Sequence, residues 1–123
     1  MASRQEEITL VLDRLIANAG ADVSGAAAVG IDGIVLVSRM GSDVNVDRVG
    51  AVAATMIGVT HRVSGELRIG LPEETIIKAH EGLFMVLPAG NQSLLAVNLR
   101  SGANLGMVRL EAHEAAEAIR HTL

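Results

Sequence analysis

Apolar and polar positions alternate along the chain in two distinct periods, and the change from one to the other predicts the elements. In SRQEEITLVLDRLIANAG, Ile8, Val11, Leu12, Leu15 and Ile16 recur at helical spacing, which predicts a first helix. Ser3 followed by Glu6 resembles a capping box, and Gly20 is a stop signal. GAAAVGIDGIVLVS predicts a hairpin, because Asp32-Gly33 stands between two apolar runs and both residues tolerate positive φ. Its first strand, Ala26 to Ile31, is nearly all small residues, so a helix can lie very close above it.

GSDVNVDRVGAVAATMIGVTHRVSG predicts a second helix, with Asn45 or Asp43 as its cap and Gly65 as its end. Three strands follow: Glu74 to His80, Leu83 to Leu87 and Ser93 to Leu99, with turns at Glu81-Gly82 and at Ala89 to Gln92. Lys78 and Pro72 suit an edge strand. ANLGMVRLEAHEAAEAIRHTL predicts a third helix on the spacing of Leu105, Val108, Ala112, Ala115, Ile119 and Leu123. The order is α-ββ-α-βββ-α. Short links between consecutive strands make those pairs antiparallel, so the expected form is a single domain over 1–123: one five-stranded antiparallel sheet with helices on both faces.

The second helix has no evident wet face. At about 100° per residue, Val46, Val49, Val52, Ala53, Met56, Ile57 and Val63 form a stripe expected to face the sheet. The opposite side carries Ala51, Ala54, Thr55 and Gly58, with Arg48 and Arg62 near the ends. Small residues where Lys and Glu are usual allow another backbone to approach. The expected neighbour is the same helix of a second copy, since two-fold dimers are the commonest soluble assembly. An edge strand near Lys78 would then pair with its symmetry mate. The bland alternative is that alanine is only a good helix former.

Composition narrows the function classes. Half of the 123 residues are apolar, yet there is one Phe and no Trp, Tyr or Cys. The core is therefore aliphatic, and disulfide and zinc–thiolate chemistry is excluded. A net charge of −4 with no basic block, and no rings for base stacking, argues against nucleic-acid binding. The charged start MASRQEEITL does not read as a signal peptide, and no apolar run reaches membrane-span length, so the cytoplasm is the default compartment.

Catalytic and metal motifs are lacking. GAAAVG is followed by Ile31-Asp32 where a P-loop needs Lys-Ser/Thr. GANLG, at Gly102 to Gly106, reads as a helix entrance. His113, Glu117 and His121 have a ligand spacing but lie opposite the apolar stripe of their helix, on the face expected to meet water. No serine sits in GxSxG, and His61 and His80 have no partners in sequence. No cofactor, metal or active site of its own is expected.

Taken together, GAAAVGIDGIVLVS after a first helix, the alanine-rich VGAVAATMIG, the hairpin GLFMVLPAGNQSLLAVNL and the closing ANLGMVRLEAHEAAEAI resemble the Roadblock family, the dynein light chain 7 type. The resemblance covers nearly the whole chain and is nearest to the bacterial and archaeal MglB-type regulators of gliding motility. It implies the Roadblock, profilin-like form of the sandwich. It implies a homodimer paired through second helices and third strands, here Ala51, Ala54, Thr55, Gly58, Ile76 and Lys78. It also implies a small Ras-like GTPase as partner, possible pairing with other Roadblock proteins, and promotion of GTP hydrolysis by reshaping the GTPase's switch regions. The GTPase platform carried over from the family comprises Arg48, Ala51, Ala54, Thr55, Gly58 and Arg62. The alternatives are a scaffold without effect on turnover, joining a GTPase or a signalling or motility complex, and, from another class, a small-molecule sensor.

Overall fold

A computed structural model describes residues 2–123. Its helices are α1 (Arg4–Ala19), α2 (Val46–Glu66) and α3 (Leu105–Thr122), and its strands are β1 (Val23–Gly30), β2 (Val35–Arg39), β3 (Thr75–Ala79), β4 (Gly82–Pro88) and β5 (Ser93–Arg100). A short 3-10 turn, Gly20–Asp22, joins α1 to β1. The five strands form one antiparallel sheet in the order β2-β1-β5-β4-β3. This is the α-ββ-α-βββ-α sandwich that the periodicity predicts, with β3 at one edge.

Strand alternation divides the core into two layers. Ala26 and Ala28 of β1, Met85 and Leu87 of β4, and Leu95, Val97 and Leu99 of β5 face Ile8, Leu12 and Leu15 of α1 and Val108, Ala112 and Ile119 of α3. The intervening residues Ala27, Val29, Val86, Leu94 and Ala96 face the other way, onto Ala53 and Ile57 of α2. The helix starts follow local capping. The side chains of Ser3, Asn45 and Asn104 accept from the amides of Glu6, Arg48 and Met107. Of the two residues considered for the second cap, Asn45 takes the role.

Several boundaries differ from the sequence expectation. β1 starts at Val23 rather than Ala26, because β5 is long enough to pair with it down to Leu99. Ile31 belongs to the turn, where its amide donates to the Gln92 carbonyl (3.0 Å). The hairpin turn is wider than an Asp-Gly pair. The Gly30 amide donates to the Ile34 carbonyl (2.8 Å), and the Asp32 carboxylate accepts from the Ile34 amide (3.0 Å). Only Gly33 takes a positive φ there, at 87°. α2 does not end at Gly65. It runs to Glu66 and closes with a Schellman pattern, in which the amides of Ile69 and Arg68 donate to the carbonyls of Ser64 and Gly65. Arg68 holds the left-handed position, φ 55°, that glycine usually fills. Leu123, counted with the stripe of α3, is exposed.

The face that α2 turns to its own sheet is the main correction. Gly50, Ala53, Ile57 and Ser64 are buried, whereas Val52 and Val63 of the expected stripe are exposed. The buried face is rotated by roughly 60° from the one that apolar volume alone selects. Val49, Ala53, Met56 and Ile57 of the expected stripe pack on the sheet, whereas Val52 and Val63 look outward beside the small residues Ala51, Thr55 and Gly58. Close approach explains it, since Gly50 and Ala53 sit over Gly33 and the small residues Ala27 and Ala96.

Candidate functional site

α2 begins against the β1–β2 turn, where Gly33 touches the backbone of Gly50 and Ala51. By Thr60 it has reached β3 at the opposite end of the sheet, where the Thr60 and Thr75 hydroxyls are 2.7 Å apart. Along its outer surface Arg48, Ala51, Thr55, Gly58 and Arg62 recur three and four residues apart, all exposed. Val52, Val59 and Val63 run beside them at 52, 58 and 49% exposure. The Thr55 hydroxyl donates to the Ala51 carbonyl (2.9 Å) and is satisfied within the helix.

Between this surface and β3 lies a groove of about 410 Å³, lined by Ala51, Val52, Thr55, Met56, Val59 and Ile77, with the threonine pair at one end. A second hollow of about 570 Å³ continues it between Val59 and Val63 and the segment after α2, which exposes Leu67, Ile69 and Leu71. β3 is paired only with β4, so its outer edge carries unpaired main-chain groups. An apolar groove of this extent beside an open strand edge is a surface built for association.

Of the eight residues singled out from the sequence, six lie at this surface. Ala51, Thr55, Gly58, Arg48 and Arg62 share the outer row. Ala54 is half-buried and packs against its own sheet layer. On β3, Lys78 is exposed at the edge, but the Ile76 side chain joins the α1–α3 layer. Ile77, its neighbour, is the strand residue that lines the groove. Val52 was missed because it was counted with the sheet-facing stripe, and Val59 and Ile77 were not singled out at all. Their signal was an excess of aliphatic positions on α2 over what one sheet face can cover.

The outer face of α2 is cationic. α2 has no acidic residue between Asp47 and Glu66. Among the described residues Arg48 and Arg62 form no salt bridge. A separate cluster holds the start of β3 to α3. The Glu74 carboxylate accepts from Arg109 Nε (2.6 Å) and lies 2.9 Å from His113 Nε2. Burial pushes the Glu74 carboxyl up. The hydrogen bonds from His113 and Arg109, with their charges, outweigh it and hold the carboxyl below the ordinary glutamate range. His113, Glu117 and His121 do lie on the exposed side of α3, where Glu117 pairs with Arg120 and His121. No grouping of three or more metal-ligand residues occurs among the described residues, and none of the described helices is long and apolar enough to cross a membrane.

The Roadblock/LC7 domain family model matches residues 8–98. The uncharacterized protein MJ1340 of Methanocaldococcus jannaschii is 31% identical over 112 residues, covering 89% of this chain and 97% of that protein. Among solved structures, an MglB with a tetrameric arrangement superposes with a TM-score of 0.87 at 21% identity, covering 99% of this chain and 91% of that one. MglB of Myxococcus xanthus superposes at 0.88 with 16% identity, covering 98 and 90%. At such identities these two likenesses speak for the fold.

Proposed function

The chain belongs to the Roadblock/LC7 family, and from that premise we propose that it is a homodimeric regulator of a small Ras-like GTPase. One copy meets the next through the groove between α2 and the open edge of β3, extending the sheet across a two-fold axis. The GTPase docks on the exposed row of α2, with Arg48, Ala51, Thr55 and Arg62 in contact. It hydrolyses GTP faster because its switch segments are held in order. Hydrolysis depends on a positioned water and on stabilised charge at the γ-phosphate, and a partner can improve both by ordering segments that already carry the needed groups. The observation that carries this reading is the apolar groove beside an unpaired strand edge, on a helix face without acidic residues.

Single-turnover GTP hydrolysis by the Ras-like GTPases of the same genome, with and without this protein, tests the reading. Acceleration supports it. Binding without acceleration reduces the protein to a scaffold, and a sedimenting monomer with no GTPase bound overturns it.

A further inference from the structure

The β1–β2 turn is built unlike an ordinary surface turn. Turns usually carry Gly, Asn, Asp, Ser or Pro. This one brackets Asp32-Gly33 with two isoleucines, Ile31 at 48% and Ile34 at 64% exposure, and the adjoining Leu36 is exposed as well. Nothing in the fold requires those side chains, since neither isoleucine contributes to the two core layers.

The tip is also held still. The Ile31 amide donates to Gln92, the Gly33 amide to Gly30 and the Gly30 amide to Ile34, while the Asp32 carboxylate takes the Ile34 amide. Gly33 is also packed against the backbone of Gly50 and Ala51, so the tip is supported by the first turns of α2. Exposed aliphatic side chains on a rigid support lose little entropy when covered, which is the property of a binding anchor.

Position decides what covers them. The strand order puts β2 and β3 at opposite edges, four strand spacings or about 19 Å apart. The hairpin tip is therefore not part of the strand edge on which a second copy would pair. The tip is continuous instead with the start of α2, where Ala51 touches Gly33 and Arg48 carries a cation with no salt-bridge partner among the described residues. We propose that Ile31 and Ile34 are the apolar anchors of the GTPase contact, flanked by Arg48, and that the outer surface is thereby divided: the open edge of β3 and its groove to the second copy, the hairpin tip together with the exposed row of α2 to the GTPase. This rests on the GTPase reading above. It specifies a partner surface with an apolar patch beside an acidic group.

The test uses full-length protein and the GTP-loaded Ras-like GTPase that it accelerates or binds. Ile34→Lys and Ile31→Lys, each at an exposed turn position, are expected to raise the Kd for the GTPase about tenfold or more. Both should leave the melting midpoint and the sedimentation coefficient of the dimer unchanged, and Ile34→Leu should bind as the parent does. Wild-type affinity in both lysine variants, while Arg62→Glu abolishes binding with the dimer intact, overturns the hairpin assignment and leaves the GTPase reading standing. Loss of binding together with loss of the dimer also overturns it, because the two ends would then not be separate. If the parent binds no GTPase, both readings fall.

Discussion

A Cβ placed on Gly50 would lie 2.5 Å from the carbonyl oxygen of Gly33 and 2.7 Å from Val35 Cγ2. Two backbones, one in a helix and one in a hairpin turn, are in direct contact at that point. The contact sets the height of α2 above the sheet and the face it turns inward. Gly50→Ala has to separate them, and since the obstacle is backbone the shift is costly. The expected loss is about 2 kcal/mol or more, despite alanine's better helix propensity. Urea unfolding with an unchanged m-value measures it, and a stabilised variant would show that the contact is not tight.

Arg68 invites the opposite change. A left-handed L-residue costs about 1 kcal/mol or more, and glycine there gives back part of that gain through a freer unfolded chain. Arg68→Gly is therefore expected to stabilise the protein by about 0.5 kcal/mol, read as a small rise in melting midpoint.

Glu74 makes stability depend on pH in a stated direction. Its folded carboxyl titrates below the ordinary glutamate range, so the unfolded chain binds this proton more readily than the native one. The contribution is complete at neutral pH, where both states are ionised. It is lost as pH falls through the ordinary glutamate value and on through the folded one. Because Arg109 and His113 are half exposed, it is worth about 1 kcal/mol. Glu74→Gln should lower stability by that amount at pH 7 and converge with the parent in acid. Parallel curves down to the acid limb would contradict the pairing.

Self-association should follow the groove rather than the whole small-residue stripe. Ile77→Lys places a charge on the groove wall at an exposed position, and Thr55→Arg places one on its rim. Both are expected to shift the protein to monomer in sedimentation velocity while circular dichroism stays unchanged. Ala54→Arg is a poorer probe, because Ala54 is packed against its own sheet and the variant is expected to unfold instead.

Local sequence was sufficient for the order of elements, the antiparallel pairing of consecutive strands, the edge placement of β3 and the capping role of Ser3, because periodicity, turn residues and caps act within a few residues of where they are written. It was also enough to mark α2 as a helix with no evident wet face and small residues on its outer side. Which residues of its stripe went inward was only partly legible. Val52 and Val63 read as core by volume, but burial goes to the face that lets two backbones meet, and that depends on Gly33 lying beneath Gly50, seventeen positions away. The exchange of Ile76 for Ile77 in the groove has the same origin. Strand parity is set by the register of β3 on β4, where Ile77 stands opposite Phe84, and register is a property of the assembled sheet.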